Sequence, residues 1–247
     1  MFDISLILTA HAETVIAGPT LKSAEAAVNA AQAVGLAVER TIAFDNPTEA
    51  CLEYFSHPIC SSWRKETYSF RDQGAVRNAA ATASSGRYIA FLDADDLFSE
   101  NWLVEAFRLC EGLPGKVIAH PELNWIFDRA SSVLVKTGQE DESFDPYYFY
   151  FANYWDALCM APRQAHIDVP YAPRDISSGF AYEDWQWNCE TMTAGFIHRI
   201  AEDTIIFKRR RERSQTITAS QRQSVIRDVE FLKADVIEKF WGGKDIL

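Results

Sequence analysis

The stretch Gly86-Arg87-Tyr88-Ile89-Ala90-Phe91-Leu92-Asp93-Ala94-Asp95-Asp96 runs a wholly apolar segment straight into three carboxylates. Tyr88 to Leu92 is too short for a stable helix and has no alternation of polar and apolar residues. It therefore reads as a strand buried on both faces, as in a parallel sheet covered by helices. Such a strand demands parallel neighbours joined to it by helical crossovers.

The first half of the chain supplies them. Ile4 to Leu8 reads as a strand, and Leu21 to Val34 as a helix carrying Leu21, Ala24, Val28, Ala31 and Val34 on one face, with Gly35 as its stop. Arg40 to Phe44 reads as a second strand. It runs into the turn Asp45-Asn46-Pro47-Thr48 and a helix from Glu49 to Phe55. An alanine-rich helix, Ala75 to Ser84, is expected to be closed by Gly86 and to precede the apolar strand. Ser99 is positioned to cap a following helix with Trp102, Leu103, Ala106, Phe107 and Cys110 turned inward. Strands alternating with helices at this spacing predict an α/β fold with a mainly parallel sheet.

The second half is less regular. Val117 to Ala119, Asn124 to Phe127 and Val133 to Lys136 read as short strands, and Gln139 to Asp145 as an acidic loop. Tyr147 to Trp155 is densely aromatic, Glu183 to Ala194 reads as a helix ending at Gly195, and Thr204 to Phe207 as a strand. Val225, Val229, Leu232 and Val236 recur at helical spacing and predict a long helix over Ser220 to Phe240.

Composition narrows the function classes. A net charge of −11 argues against a nucleic-acid partner, which needs basic residues to neutralise phosphates. No apolar stretch is long enough to span a bilayer, and Met1-Phe2-Asp3 lacks the basic start of a signal peptide. Cys51, Cys60, Cys110, Cys159 and Cys189 are odd in number, widely spaced and without a C-x-x-C pair, which predicts reduced thiols in a cytoplasmic protein.

In open α/β sheets ligands bind beyond the carboxyl ends of the strands. Three such ends carry polar residues: Thr9 to Glu13, Asp45-Asn46, and Asp93 to Asp96. Three carboxylates within four residues repel one another unless a cation or a set of donors compensates them. Hard divalent metals take oxygen ligands and bridge substrate phosphates. The four residues alone fit either a metal site or an acidic helix cap with solvated neighbours.

The wider pattern resembles the family 2 glycosyltransferases of GT-A fold. Their signature is an opening strand with a polar turn, an Asp after the second strand, then G-x-x-x-A-R-N leading to G-x-Y-I-x-F-L-D-x-D-D. This chain reads Gly74-Ala75-Val76-Arg77-Asn78, then Gly86 through Asp96 as quoted above. Tyr182-Glu183-Asp184-Trp185 is similar to the family's acidic acceptor-side motif at the start of a helix. The resemblance covers roughly residues 3 to 216, with the least support between 110 and 175.

The resemblance implies roles. Thr9, His11 and Glu13 fall in the turn that contacts the nucleotide, Asp45 is expected to bond the base, and Arg77 to contact the nucleotide. Asp93 and Asp95 would hold the ribose and a metal-bridged diphosphate, with Asp95 as the ligand of Mg²⁺ or Mn²⁺ and Asp96 alongside. Asp184 would be the general base, with Glu183 and Trp185 on the acceptor side. A glycosyl transfer needs both functions: charge neutralisation at the leaving diphosphate and removal of a proton from the acceptor hydroxyl.

Two departures stand out. The polar turn opens Thr9-Ala10-His11 where the family has Pro-Thr-Tyr or similar; His11 could stack on a base or sit as an ordinary surface or core histidine. The family often carries R-x-H-x-x-S near its last strand, and Arg211 stands where that His would be. Lys208 to Arg213 holds five basic residues in six. Arg209 and Arg211 could clamp a diphosphate bidentately, as a lid, or belong to a solvated face. About half of the aromatic cluster is expected in the core and the rest facing an acceptor. One of Trp185 and Trp187 is expected in the acceptor pocket and the other in the core. His57, His120, His166 and His198 have no ligand spacing.

The expectation is an inverting glycosyltransferase moving a sugar from a nucleotide-diphosphate sugar, a UDP-sugar favoured, to a glycan or lipid-linked sugar in surface polysaccharide or glycolipid synthesis. Residues 1–219 would form the GT-A domain, with a nucleotide half at about 1–110 and an acceptor half at about 111–219, and residues 220–247 a helical tail. A cytoplasmic setting, at the inner face of a membrane or within a larger multi-domain assembly, is compatible with this reading. Two rivals remain. One is a non-catalytic nucleotide-sugar or glycan-binding module, to which Arg211 lends support. The other is a nucleotidyltransferase, which needs a basic Gly-rich loop that Thr9 to Thr20 does not offer.

Overall fold

The computed structural model describes residues 2–211, 219 and 221–241. Strand β1 (Phe2–Ala10) is central: it pairs in parallel with β2 (Val38–Asp45) on one side and with β4 (Gly86–Asp93) on the other. Strand β3 (Arg64–Tyr68) adds to β2, again in parallel. Beyond β4 the sheet continues through β8 (Met160–Pro162), β6 (Val117–Asp128), β9 (Ile197–Arg210) and β5 (Leu97–Phe98), while β7 (Ser132–Val135) pairs with β6 as a hairpin. The long ladders are parallel, and the antiparallel ones, β4–β8, β6–β8, β6–β7 and β5–β9, are short.

Strand direction decides what meets at the sheet edge. β8 runs against β4, β6 runs against β8, and β9 runs with β6. The carboxyl ends of β6 and β9 therefore point the same way as those of β1, β2 and β4. The basic end of β9 thus arrives at the edge that holds Asp45 and Asp93.

Among the described residues seven helices flank the sheet: α1 (Ala17–Ala33), α2 (Glu49–Phe55), α3 (Gln73–Ala83), α4 (Trp102–Glu111), α5 (Arg163–Asp168), α6 (Glu183–Thr193) and α7 (Ala234–Trp241). Thr48 caps α2 by accepting the Cys51 N–H, and Asp72 caps α3 by accepting the Ala75 N–H. The helix α1 ends at Gly35, whose φ of +89° only glycine adopts freely. The main core is built from β1, β2, β4 and the inner faces of α1, α3 and α4. A second core gathers Phe144, Phe149, Trp155, Cys189, Met192, Val229, Phe231 and Ile237. All five cysteines are buried and free. Among the described residues no helix is long and apolar enough to cross a membrane.

Several elements differ from the sequence reading. β3 is an edge strand of mostly polar residues, Arg64-Lys65-Glu66-Thr67-Tyr68, and so lacks the apolar alternation by which strands are recognised. Ser99 does not cap α4; its hydroxyl accepts the Ile205 N–H and ties β5 to β9, and Asn101 takes the cap position. Gly86 opens β4 and does not cap α3: a Cβ there would lie 2.5 Å from the Ser5 nitrogen, so the residue permits close approach to β1. The strands expected at Val117 to Ala119 and Asn124 to Phe127 are one strand, β6, with an irregularity between Pro121 and Leu123.

The helix expected over Ser220 to Phe240 is not formed as one element. Val225 is 58% exposed, and its backbone exchanges hydrogen bonds with Gly179 and Ala181. Val229 and Phe231 drop into the second core, and the chain turns helical at Ala234. Pairing with 179–181 and burial of Phe231 override a spacing that suited a helix.

Candidate active site

The site is built at the carboxyl edge. Thr9 and Asp93 are register partners on β1 and β4, and the Thr9 hydroxyl donates to Asp93 Oδ1 at 2.7 Å. The same oxygen accepts Gln73 Nε2 and Arg77 Nη2, both at 2.9 Å, from the first turns of α3. Arg77 is 3% exposed and also lies 3.6 Å from Glu183 at the start of α6. It thereby links β4, α3 and α6. Burial alone would raise the Asp93 pKa, but Arg77 and Lys208 outweigh it and hold the carboxyl below its ordinary value.

Asp95 and Asp96 turn to the end of β9. Asp95 pairs with Arg211 Nη2, which also donates to Glu13 Oε1 at 2.8 Å. Glu13 in turn accepts the His11 and Ala12 N–H groups. Asp96, 3% exposed, accepts the Arg209 N–H at 2.8 Å and faces Lys208 Nζ at 3.9 Å. Burial pushes the Asp96 pKa up to about 8, with the charges of Asp93 and Asp95 adding to it. Burial, with Asp93, likewise raises Asp95.

Asp45 behaves as a loop clamp: Oδ1 accepts the Phe70 and Arg71 N–H groups and Asn46 Nδ2, and Oδ2 accepts the Asp72 N–H. His11 is exposed and donates from Nδ1 to the Asp45 carbonyl at 2.7 Å. The guanidinium of Arg209 lies over Phe127 and donates to Asp128 Oδ2 at 2.9 Å.

Two cavities open here. The larger, about 960 Å³, is lined by Thr9, His11, Glu13, Asp45, Asp95, Asp96, Arg209 and Arg211 among others. The smaller, about 630 Å³, is lined by Arg77, Lys136, Asp156, Glu183, Asp184, Trp185 and neighbouring residues. Gln73, Asp93, Arg174, Lys208 and Arg210 line both, so the cavities meet at Asp93. Their sizes suit a substrate in two parts.

Asp184 faces the smaller cavity from the first turn of α6. Tyr182, immediately before that helix, holds a left-handed φ of 62°. Such strain in a non-glycine residue is typical of positions that aim functional groups. Burial, reinforced by adjacent Glu183, raises the Asp184 pKa to about 6. Trp185 lines this cavity, while Trp187 is fully buried and donates to the Val169 carbonyl. The aromatic cluster also divides: Phe149 and Trp155 are buried, Tyr148 and Tyr154 line the cavity, and Phe151 is exposed.

Residues 45–119 match the family model described as glycosyl transferase family 2. Over that segment the chain is similar to glycosyltransferase family 2. Its GT-A fold is shared with solved structures of low sequence identity. S. aureus TarS 1–349 superposes with a TM-score of 0.62 at 11% identity, over 84% of this chain and 60% of that one. The same TarS fragment with UDP-GlcNAc gives 0.61 at 12% identity, over 87% and 60%. GalNAc-T7 with UDP, GalNAc and Mn²⁺ gives 0.60 at 12% identity, over 85% and 44%. This chain therefore spans less than two thirds of the length of each. A search of curated proteins gives no significant match.

Against this family 2 pattern, the structure brings Thr9, His11, Glu13, Asp45, Arg77, Asp93, Asp95, Asp96, Glu183, Asp184, Trp185, Arg209 and Arg211 to the two joined cavities. Arg213 of the basic run lies outside the described residues. The sequence reading missed a buried cluster in the smaller cavity, in which Asp156 faces Lys136 Nζ at 3.2 Å and Lys208 Nζ at 3.4 Å. It also missed Gln73 and Arg174. Asp156 stands as a single polar residue between Tyr154 and Cys159, and Lys136 closes the apolar run Val133 to Val135, which are the traces they leave in sequence.

The donor set decides how well a divalent cation fits. Among the described residues no three His, Cys, Asp or Glu side chains are placed to hold a metal ion. Asp93 is engaged by Thr9, Gln73 and Arg77, and Asp95 by Arg211. The printed contacts use Asp93 Oδ1 and Asp95 Oδ2, and the Arg77 and Arg211 guanidiniums beside them repel a dication, so the arrangement fits a resident Mg²⁺ or Mn²⁺ poorly.

Proposed function

We propose that the chain transfers a sugar from a nucleotide-diphosphate sugar to a hydroxyl acceptor with inversion. The nucleotide takes the larger cavity, the acceptor takes the smaller, and the sugar lies at Asp93 between them. The observation that carries this reading is the junction of the two cavities, with Asp184 facing one and Thr9, His11, Glu13 and Asp45 lining the other.

Asp184 acts as general base. One carboxylate oxygen takes the acceptor's proton while the acceptor oxygen bonds to C1 of the sugar. The bond from C1 to the diphosphate breaks, and its electron pair leaves with the nucleoside diphosphate. A single displacement needs one base and no covalent intermediate. A pKa of about 6 suits a general base, which is then ionised at neutral pH yet more basic than an ordinary carboxylate. Glu183, paired to Arg77 and Arg174, orients the helix start on which Asp184 rides.

A UDP-sugar is the favoured donor, supported by the UDP and UDP-GlcNAc complexes of TarS and the UDP complex of GalNAc-T7. The aromatic wall of Tyr148, Tyr154 and Trp185 suits the apolar face of an acceptor sugar. This fits a glycan or lipid-linked acceptor in surface polysaccharide or glycolipid synthesis. Residues up to 219 would form the transferase domain, and 220–247 a tail.

The second reading, a non-catalytic nucleotide-sugar-binding module, draws on Arg211 covering Asp95. Incubation with a panel of UDP-, GDP- and CDP-sugars and simple glycoside acceptors separates the two. Release of nucleoside diphosphate that depends on acceptor supports transfer, and binding without release in every combination supports the module.

A further inference from the structure

Arg211 occupies a peculiar place. It lies one residue past β9, and the Arg209 N–H bond to Asp96 fixes the backbone just before it. Among the described residues its carboxylate contacts, to Glu13 and to Asp95, fall on the same atom, Nη2. Its Nε is buried and has no hydrogen-bond partner among the described residues. A buried unpaired N–H on a charged group is costly, and such groups normally find an acceptor. Arg211 lines the larger cavity, where a two-oxygen anion is an acceptor suited to a guanidinium.

The electrostatics agree. Glu13, Asp95 and Asp96 would repel an incoming diphosphate if left uncompensated, and the cations set against them are Arg211 and Lys208. A dication bound at Asp95 would sit beside the Arg211 guanidinium and be repelled by it. Arginine cannot ligate a metal, having no free lone pair, but it recognises phosphate through paired N–H groups.

We propose that Arg211 takes the place of the divalent cation, so that this chain binds the diphosphate of its donor, and stabilises it as leaving group, without metal. The proposal rests on the nucleotide-sugar reading above. Lys208, shared between Asp96 and Asp156 at the junction of the cavities, supplies a second positive charge on the same path.

The test is calorimetric titration with UDP, GDP and CDP, and with uridine, each in EDTA and in Mn²⁺. Wild type should bind its preferred nucleoside diphosphate with affinities within about twofold in the two media. Arg211→Ala should lose about tenfold or more of that affinity in EDTA, the size of a charged hydrogen bond, while its uridine binding stays as in wild type. Arg211→His should bind weakly in EDTA and recover in Mn²⁺, since imidazole ligates metal where guanidinium cannot. The proposal is overturned if wild type requires Mn²⁺ or if Arg211→Ala binds as tightly as wild type, and the nucleotide-sugar reading survives that result. Absence of binding by all three diphosphates in both media overturns both.

Discussion

Glu183 and Asp184 are consecutive residues in the first turn of α6, yet they serve different partners. Glu183 is buried against Arg77 and Arg174. Among the described residues no ion pair reaches Asp184, which faces the smaller cavity. Successive side chains on a helix diverge by about 100°, so one acid anchors the helix start while the other is free to meet a substrate. The anchoring pair is itself a stability element.

Arg77 carries that anchor. Arg77→Ala leaves two carboxylates, Asp93 and Glu183, without their shared cation in a buried setting. Removing one member of a buried pair costs about 3 kcal/mol or more. Urea unfolding should show that loss, and a variant as stable as wild type would mean the link is dispensable.

Asp45→Ala should loosen the segment it clamps. Three backbone N–H groups, from Phe70, Arg71 and Asp72, lose their acceptor. Phe70 and Arg71 are exposed, so water partly replaces the carboxylate and the global cost is about 1–2 kcal/mol. Hydrogen exchange should accelerate at those three amides first; unchanged protection there would count against the clamp.

His166 makes wild-type stability fall in acid. It is buried with neither ring nitrogen bonded among the described residues, is stacked on Trp187, and burial lowers its pKa to about 3. The unfolded chain takes up its proton below about pH 6.5 and the folded chain does not. This contribution is therefore intact above 6.5 and is lost progressively as pH falls toward 3. His166→Phe removes it. Between pH 7 and pH 5 the variant should gain about 2 kcal/mol on wild type in paired urea melts, and a pH-independent difference would contradict this.

The base should appear in the pH profile of transfer. With the Asp184 pKa raised to about 6, the ionised form dominates above that pH and the protonated form below it. kcat/KM should fall about tenfold per pH unit on the acid side of pH 6, and the break should vanish in Asp184→Asn. A break at an unshifted carboxylate pKa would place another group in the role.

The parallel half of the sheet was legible because buried strands and alternating helices leave strong patterns: Tyr88 to Leu92 and the helix after Leu21 could hardly fold otherwise. The edge carboxylates were legible as a set for the same reason, since strand ends are positions that topology predicts. The Asp156, Lys136 and Lys208 cluster was not, because its members come from three strands or loops distant in sequence and meet only when β6, β8 and β9 assemble. The last segment misled for a different reason. Val225 and Val229 keep a helical spacing, but contacts at Gly179 and in the second core are worth more than local propensity. Arg211 was visible as a departure from the family pattern; that its guanidinium joins Glu13 to Asp95 needed the structure.

The most direct measurement is transfer and donor binding by Asp184→Asn, side by side with wild type. The substitution keeps the shape of the side chain and removes its basicity. Transfer should fall by on the order of 10²-fold or more, while affinity for the nucleoside diphosphate and the melting temperature stay near wild type. A variant that transfers at the wild-type rate would contradict the account, leaving Asp184 a helix-start acid and the base elsewhere in the cavity.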